Sequence, residues 1–239
     1  MGRRAGDDGG VGGAGRTVGR PRTRAVFLDA LGTLVALEPP WTHLARELGV
    51  PEDARLASAV RAEMAYYKAH SHEGVDAGAL AELRARCAAL LARELGREVP
   101  VERMMAAIRF RAYADAAPAL ERLRALGLRL VCVSNWDCSL PAVLARCGLG
   151  ELLDGVVTSA GSGTRKPDPA IFRAALELAG CRPAEAIHVG DTHAEDVVAA
   201  EGAGIAALLI DRDGSGGQIA SLAEIEAHLA PGDGTRPPS

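Results

Sequence analysis

The sequence of 239 residues predicts an α/β protein built on a doubly wound, mostly parallel sheet, with an α-helical domain inserted into it. Five short apolar runs, each typical of a buried strand, support this prediction. Amphipathic segments separate the last four runs, and nearly a hundred residues without a convincing strand separate the first two. Strands that alternate with helices form βαβ units, and such sheets are parallel and covered on both faces.

The predicted strands are AVFLDA at 25–30, LRLVCVSN at 128–135, GVVTSA at 155–160, AIHVGD at 186–191 and AALLID at 206–211. The helical segments that precede or separate the later strands are PALERLRALG, SLPAVLARCG, PAIFRAALELAG and EDVVAAEGAG. Each of these segments ends at a glycine, which suits a helix C-cap. We expect right-handed crossovers between the strands, as in a Rossmann-like sheet.

The long stretch between the first two strands is predicted to be a helical domain at residues 37–113. Its four helical segments are WTHLARELGV, EDARLASAVRAEMAYYKAHS, AGALAELRARCAALLARELG and VERMMAAIRFRAYA. A connection of this length is too long for a structureless loop. The sheet domain then consists of residues 25–36 and 114–230.

Both ends of the chain are predicted to lie outside these domains. Residues 1–24 hold eight glycines, six arginines and two aspartates, without apolar periodicity, and are expected to form a disordered basic leader. This leader lacks the apolar segment of a secretory signal. Residues 231–239 are expected to form a flexible tail.

The composition excludes several classes of function. No apolar run approaches the ~20 residues of a membrane-spanning helix, so no membrane partner is expected. A net charge of −4 and an aromatic content of 3% argue against nucleic-acid binding. The five cysteines are odd in number and form no C-x-x-C pair, which favours a reducing compartment and a cytoplasmic location.

Polar residues collect where four of the predicted strands end. Asp29 ends the first strand, Ser134 and Asn135 end the second, Lys166 follows the third, and Asp191 ends the fourth. Ligands of open α/β sheets bind outside the carboxyl ends of the strands. Carboxylates can hold Mg²⁺ there, lysine and hydroxyl groups can bind phosphate oxygens, and a further carboxylate can attack phosphorus. This set of residue types indicates phosphoryl transfer.

The motifs in which these residues stand resemble those of the haloacid dehalogenase superfamily. They are FLDALGTL at 27–34, VSN at 133–135, Lys166 in RKPDP, and GDTHAED at 190–196. The resemblance extends over about residues 25–211. A helical insert directly after the first motif is similar to the cap of the subgroup that contains dehalogenases and small-molecule phosphatases. In this insert, the segment MAYYKAHSHEG holds Tyr66, Tyr67, Lys68, His70 and His72, which are candidate contacts for a substrate, although a helix end with ordinary surface residues is the favoured interpretation.

The resemblance implies catalytic and metal-binding roles for five residues. Asp29 is implied as the nucleophile that forms an aspartyl-phosphate, and Lys166 as the cation that neutralises charge shared by Asp29 and the phosphate. Mg²⁺ is implied as the cofactor, bound by Asp29, Asp191 and the backbone carbonyl of Leu31. Asp196 is implied as a direct or water-mediated partner of the same ion.

The resemblance also implies a small phosphorylated molecule as the substrate. Thr33 and Ser134 are implied to donate hydrogen bonds to the transferring phosphoryl group. Asn135 is a candidate for the same group of substrate-binding residues, although its residue type also suits the ordering of a strand-to-helix turn. The sequence does not predict an oligomeric state.

One residue departs from the pattern of the family's phosphatases. Two positions after the nucleophile, they usually have an aspartate that protonates the leaving oxygen and later activates water. This sequence has Leu31 there, and leucine can do neither. General acid–base catalysis typically contributes ~10²–10⁴-fold in rate, so slow hydrolysis of alkyl phosphates is expected.

Three functions therefore stay open. The first is a phosphatase for substrates with good leaving groups, or with a substitute acid such as His193, His70 or His72. The second is a dehalogenase-type hydrolase, since a leaving halide needs no proton. The third is a non-catalytic protein that binds a phosphorylated ligand or a protein partner. Asp191 and Asp196 favour the first, because two neighbouring carboxylates repel each other unless a cation lies between them.

Overall fold

A computed structural model of the protein describes residues 21–214 and 216–230. Its strands are β1 (Ala25–Leu28), β2 (Val35–Leu37), β3 (Phe110–Ala112), β4 (Arg129–Ser134), β5 (Gly155–Thr158), β6 (Ala186–Gly190) and β7 (Ala206–Leu209). Five of them form a parallel sheet in the order β5-β4-β1-β6-β7. The predicted doubly wound sheet is confirmed, and each of its five predicted strands is present with its ends displaced by two residues or fewer.

The helices are α1 (Pro40–Leu48), α2 (Ala54–His70), α3 (Ala77–Leu95), α4 (Val101–Ala107), α5 (Ala116–Ala125), α6 (Leu140–Arg146), α7 (Ser159–Ser162), α8 (Ile171–Ala179) and α9 (Val198–Gly202). The glycines that end the four predicted helical segments outside the insert all have a positive φ angle, as a C-cap requires. Within the described ranges, no helix combines the length and hydrophobicity needed to cross a lipid bilayer.

Apolar residues cover the sheet on both faces. Successive side chains of a strand point to opposite faces, so Val26 and Leu28 of β1 pack with α5 and α6 on one side. Phe27 packs with α8 and α9 on the other side, where its ring lies 6.4 Å from that of Phe172. Burial on both faces explains why the strands have uninterrupted apolar sequences.

The segment between β2 and β3 is helical and has an apolar cluster of its own. Leu44 of α1, Leu56 of α2, Leu83 of α3 and Met104 of α4 are buried in that cluster. The two long helices begin at aspartate N-caps, whose side chains accept hydrogen bonds from backbone amides of the first turn. Four predicted helical segments are therefore present, in the predicted order.

The prediction for the end of this segment is wrong in one respect. VERMMAAIRFRAYA was expected to be helical throughout, but α4 ends at Ala107 and β3 follows. β3 pairs antiparallel with β2, joining Val35 to Ala112 and Leu37 to Phe110. Strands of three residues are too short to show an alternating pattern, and their pairing partner lies far away in the sequence. This two-stranded ribbon of β2 and β3 therefore brings together the two chain segments that lead into and out of the helical segment.

The predicted ends of the chain lie largely outside the described residues. This holds for residues 1–20 of the expected leader and for the expected tail at 231–239. The last residues of the leader are held by the fold: the amide of Arg24 donates to the carbonyl of Glu185 at 2.7 Å, and the hydroxyl of Thr23 accepts from the amide of Ala230 at 3.0 Å. The predicted boundary between the leader and the sheet domain, at residue 24, is therefore too late in the chain.

Asp115, just before α5, ties the last part of the chain to the sheet domain. Its carboxylate accepts hydrogen bonds from Arg212 Nη1, the Ser221 hydroxyl and the Leu222 amide, each at 2.8 Å. Arg212 also donates to the carbonyl of Thr33. Partial burial opposes ionisation, but these hydrogen bonds outweigh it and lower the pKa of Asp115.

We expect Asp115→Asn to lower the free energy of unfolding by about 1–2 kcal/mol at pH 7, because charged hydrogen bonds are lost. A lowered folded-state pKa contributes stability above the unfolded pKa of about 4, and this stability is lost as the pH falls through the folded pKa. The difference from wild type should therefore shrink below pH 4 in denaturant titrations. Glu82→Gln, on an exposed part of α3, is the control, and a difference independent of pH would contradict the assignment.

Candidate active site

Most of the predicted site residues converge at the carboxyl end of β1. Asp29 follows β1, Ser134 ends β4, and Asp191 follows β6. Because β4 and β6 flank β1 in a parallel sheet, these three positions are neighbours at one edge. Lys166 comes from the connection between α7 and α8 and reaches the same place.

Lys166 forms the buried centre of the site. Its Nζ donates to Asp29 Oδ1 at 2.6 Å and to Asp196 Oδ1 at 2.5 Å, and its side chain is 1% exposed. Burial alone would favour the neutral amine, but the two carboxylates outweigh it and raise the pKa of Lys166 above its usual value. The side chain of Lys166 is therefore a permanent ammonium group that contacts the carboxylate of Asp29.

Asn135 fixes the backbone that carries Lys166. Its Oδ1 accepts from the Lys166 amide at 2.8 Å, and its Nδ2 donates to the Lys166 carbonyl at 2.9 Å. Nδ2 also donates to Glu195 Oε2 at 3.2 Å. These contacts use both polar atoms of the amide, and Asn135 also lines the cavity, so its role in substrate binding stays a prediction.

Asp196 is buried and bound by three donors. Besides Lys166, it accepts from His188 Nε2 at 2.9 Å and from the Thr192 amide at 3.0 Å. Although burial opposes ionisation, these partners lower the pKa of Asp196. A Cβ on Gly190 would lie 2.1 Å from the carboxyl carbon of Asp196, so this close approach requires glycine.

His188 is a member of the site that the sequence analysis missed. It is fully buried in β6, and burial lowers its pKa, so it stays neutral near pH 7 and donates to Asp196. Its signal in the sequence is a single imidazole within the apolar run AIHVGD. A buried polar side chain needs a hydrogen-bond partner, and that partner lies eight residues away.

Asp191 completes a cluster of three carboxylates. Oxygen atoms of Asp29, Asp191 and Asp196 all lie within 4.8 Å of one another. Partial burial and the charges of the other two carboxylates raise the pKa of Asp191 to about 6. Three carboxylates thus face one ammonium group, which is a formal charge of −2 when all three are ionised. An oxygen-rich cluster with this excess charge suits a hard divalent cation such as Mg²⁺.

The loop after β1 lies against this cluster. A Cβ on Gly32 would stand 2.0 Å from Asp191 Oδ2, and Gly32 has a φ of 81°, so both space and backbone require glycine. Leu31, directly before it, is 39% exposed and lines a cavity beside the cluster. The acidic cluster therefore meets an apolar side chain at its rim.

Thr33 does not support its prediction as a substrate-binding residue, which stays a prediction. Its side chain is fully buried, its hydroxyl has no hydrogen-bond partner among the described residues, and it does not line the cavity. The loop 29–35 turns back toward the sheet at this point, which directs Thr33 inward. Ser134 does line the cavity, and a hydrogen bond from its hydroxyl, with Lys166, partly offsets the burial that raises the pKa of Asp29.

A cavity of about 510 Å³ lies between the carboxylate cluster and the helical insert. Asp29, Ser134 and Asp191 line it from the sheet, and side chains of α2, α3 and α4 line it from the insert. His70, His72 and His193, the candidate substitute acids, do not line it. A second cavity of about 580 Å³, near the amino ends of β1 and β4, contains none of the predicted site residues.

The end of α2 holds the insert against the sheet domain. The Tyr67 hydroxyl donates to Asp137 Oδ2 at 2.6 Å, and Lys68 Nζ lies 2.9 Å from Glu195 Oε1. Arg165 donates to the Lys68 carbonyl at 3.3 Å. Tyr67 and Lys68, both from the segment MAYYKAHSHEG, also line the cavity.

A family model and several proteins of known name are similar to this chain. The family model for a haloacid dehalogenase-like hydrolase matches residues 23–204. Haloacid dehalogenase-like hydrolase domain-containing protein 3 of Danio rerio is 38% identical over 100 residues, covering 42% of this chain and 41% of the relative. Glyceraldehyde 3-phosphate phosphatase of Methanothermobacter thermautotrophicus is 33% identical over 109 residues, covering 43% and 46%. These matches span less than half of the length of either relative.

Solved structures of similar fold include phosphatases and dehalogenases. A HAD phosphatase from Thermococcus onnurineus has a TM-score of 0.62 at 25% identity, with 86% of this chain and 97% of that chain covered. An L-2-haloacid dehalogenase from Xanthobacter autotrophicus has a TM-score of 0.61 at 24% identity, with 88% and 90% covered. The motifs, the sheet and the family match agree, and the chain belongs to the haloacid dehalogenase-like hydrolase family.

Proposed function

We propose that this hydrolase is a Mg²⁺-dependent phosphatase of a small phosphorylated molecule, acting through an aspartyl-phosphate on Asp29. The observation that carries the proposal is the cluster of three carboxylates around one buried ammonium group at the mouth of a cavity. The names of the methanogen relative and of the Thermococcus structure, both phosphatases, support the same activity.

Asp29, Asp191 and the carbonyl of Leu31 are the groups that we propose to hold Mg²⁺. Asp196 already accepts from Lys166, His188 and the Thr192 amide, so it suits a water-mediated position behind the ion. A bound Mg²⁺ would neutralise part of the negative charge on the transferring phosphoryl group.

The protein's own residues account for the remaining steps. Lys166 holds Asp29 in place and offsets the charge that builds up when its carboxylate approaches a phosphate. The Ser134 hydroxyl lines the cavity beside Asp29 and can donate to a phosphoryl oxygen. Asn135 holds Lys166 near the carboxyl end of β1 through hydrogen bonds to both the amide and the carbonyl of the lysine backbone.

We expect Asp191→Asn to weaken Mg²⁺ binding by about 10- to 100-fold, because a charged ligand becomes a neutral one. Isothermal titration calorimetry with MgCl₂ at pH 7.5 measures this affinity directly. Asp213→Asn, an exposed carboxylate elsewhere, is the matched control. Equal affinities of wild type and Asp191→Asn would show that Asp191 is not a ligand.

One observation favours a second function. Leu31, an apolar residue at the rim of the cluster, suits a dehalogenase-type hydrolase, whose leaving halide needs no proton. The excess negative charge of the cluster argues against it, because a site without a cation has no need of a third carboxylate. The phosphatase accounts for both observations when the leaving group is a good one.

Three assays distinguish the functions. Phosphate release from acetyl phosphate or p-nitrophenyl phosphate that depends on Mg²⁺ is the result expected of the phosphatase. Metal-independent halide release from 2-chloropropionate would instead identify a dehalogenase. Tight binding of a phosphate ester without turnover would identify a non-catalytic binding protein. Either of the last two results would overturn the proposed activity.

We further propose that residues 37–113 form a cap domain over residues 25–36 and 114–230. The separate apolar cluster of the insert and its contacts with the sheet domain through Tyr67 and Lys68 support this division. The five cysteines are free thiols, which supports a cytoplasmic location. A small phosphorylated molecule, and no nucleic acid or membrane, is the partner that we propose.

A further inference from the structure

The walls of the cavity differ from its mouth. Asp29, Ser134 and Asp191 make the mouth polar. Away from the mouth, the lining includes a group of apolar residues, namely Leu31, Met64, Met104, Met105, Ile108 and Phe110. Charged residues, among them Arg84, Asp137 and Arg146, line other parts of the cavity. A group attached to a phosphate held at the mouth would therefore meet several apolar side chains, which favour an apolar group over a hydrated one.

The apolar wall has the surfaces that suit a flat ring. The rings of Phe110 and Trp136 lie 5.1 Å apart at an angle of 54°, and both residues line the cavity. Phe110 comes from β3 and Trp136 follows β4, so the pair spans the junction of the insert and the sheet domain. Methionine side chains are flexible and make favourable contacts with aromatic rings, and α2 and α4 supply three of them.

The protonatable groups near the mouth are already engaged. The Tyr67 hydroxyl is donated to Asp137, and Glu195 is paired with Lys68 and Asn135. The side chain two residues after Asp29 is that of Leu31, which carries no proton to donate. A leaving oxygen at this position must therefore depart as an anion, which is rapid only when its conjugate acid is acidic.

Glu63 is the remaining acid of the apolar part of the wall. It lies one helical turn before Tyr67 on α2, is 7% exposed, and is hydrogen-bonded with Cys87 of α3. It also lines the cavity. Glu63 is therefore the residue whose role as a proton donor the experiment must test.

We propose that the substrates are phosphate monoesters of an acidic hydroxyl on an apolar, aromatic body, as in aryl phosphates. This inference rests on the proposed phosphatase activity. An oxygen of Asp29 forms a bond to phosphorus while the bond from phosphorus to the aryl oxygen breaks, and the electron pair stays on that oxygen. Water then attacks phosphorus, the bond to Asp29 breaks, and the protons of water end on the phenolate and on inorganic phosphate.

The test compares kcat and KM for substituted phenyl phosphates, glycerol 3-phosphate and acetyl phosphate in the presence of Mg²⁺. We expect kcat/KM for phenyl phosphate to exceed that for glycerol 3-phosphate by at least about 100-fold. Among the phenyl phosphates, log kcat/KM, which reports the step that breaks the bond to the phenol, should fall steeply as the pKa of the leaving phenol rises. In Leu31→Asp, which supplies a proton donor, this slope should become shallower and glycerol 3-phosphate should be hydrolysed faster.

A pair of variants tests the apolar wall separately. Met105→Gln, which is polar and of similar length, should raise KM for phenyl phosphate at least about 5-fold, and by more than it changes KM for acetyl phosphate, which carries no ring. Met105→Leu is the matched apolar control and should leave both values close to wild type. If KM for phenyl phosphate were the same in all three proteins, the apolar wall would not contact the substrate, and the inference would be overturned.

Other outcomes separate this inference from the proposed function. Efficient hydrolysis of acetyl phosphate and glycerol 3-phosphate without a preference for aryl esters would overturn the inference and leave the phosphatase intact. A steeper leaving-group slope in Glu63→Gln than in wild type would identify Glu63 as a proton donor and overturn the inference as well. Absence of phosphate release from every substrate would overturn the proposed function itself.

Discussion

Replacement of Asp29 by asparagine is expected to lower the rate of phosphate release by at least about 10⁴-fold, because the amide cannot form the covalent intermediate. Asp29 is the carboxylate that both lines the cavity and accepts from Lys166 Nζ. Steady-state release of phosphate from acetyl phosphate, in saturating Mg²⁺, measures the effect. Single-turnover experiments with ³²P-labelled substrate should also show that labelled protein forms in wild type and not in the variant.

The fold should survive this substitution, so the loss of rate can be assigned to chemistry. Lys166 keeps its ion pair with Asp196 when Asp29 becomes neutral. The buried carboxyl of Asp29 carries a desolvation cost that raises its pKa, and asparagine avoids that cost. Thermal unfolding of Asp29→Asn should therefore lie close to that of wild type. Residual activity above one-tenth of the wild-type rate would assign the nucleophile to another residue.

The sheet and the main site residues could be predicted because local sequence determines them. A strand buried on both faces is an uninterrupted apolar run, and a polar residue at its end marks the edge where a ligand binds. Asp29, Ser134 and Asp191 are such residues, and parallel pairing of β4 and β6 with β1 brings them together. The order of the strands was not needed for this prediction, since all carboxyl ends meet at one edge.

The parts that could not be predicted depend on contacts between distant residues. The ribbon of β2 and β3 joins segments about seventy residues apart through three paired positions, and no local pattern marks it. The carbonyl of Thr33 accepts a hydrogen bond from Arg212, which is 179 residues away in the chain. The role of Asn135 depends on the backbone of Lys166, 31 residues away. Residue type gave a list of candidates, and only the three-dimensional structure assigned their partners.

The contacts of α2 show how the insert and the acidic cluster are joined. Glu195 accepts from Lys68 of the insert and from Asn135 of the sheet domain. Asn135 in turn binds the backbone of Lys166, whose ammonium group contacts Asp29. A chain of hydrogen bonds therefore runs from the insert to the proposed nucleophile, so the position of α2 and the position of Lys166 depend on the same residues.

Lys166→Met is expected to destabilise the protein by about 3–5 kcal/mol at pH 7.5, because removal of one partner leaves a buried charge without compensation. Asp29 and Asp196 would lose the ammonium group that both contact at hydrogen-bond distance. The same variant should lose at least about 10²-fold in phosphate release, since no cation would offset the charge between Asp29 and the phosphate. Urea titrations and steady-state assays measure the two effects.

The pH dependence of this loss distinguishes an electrostatic cause from a packing defect. Without Lys166, we expect the pKa of Asp29, which burial already raises, to rise further, and the lowered pKa of Asp196 to rise as well. Such groups destabilise the folded state at high pH, and the penalty disappears as the pH falls through the folded pKa and the carboxyls become protonated. The stability of Lys166→Met relative to wild type should therefore increase as the pH falls from 8 to 5. Mg²⁺ should also stabilise the variant, because it binds the folded carboxylates.

Lys166→Arg provides the matched control for charge. Arginine keeps the positive charge, but its planar fork is wider than an ammonium group, and the side chain of Lys166 is only 1% exposed. We expect an intermediate loss of stability that does not change between pH 8 and pH 5, since the carboxylates keep a cation. If Lys166→Met and Lys166→Arg lost equal stability at every pH, packing of the lysine side chain would explain the loss. The charge of Lys166 would then make no measurable contribution to stability.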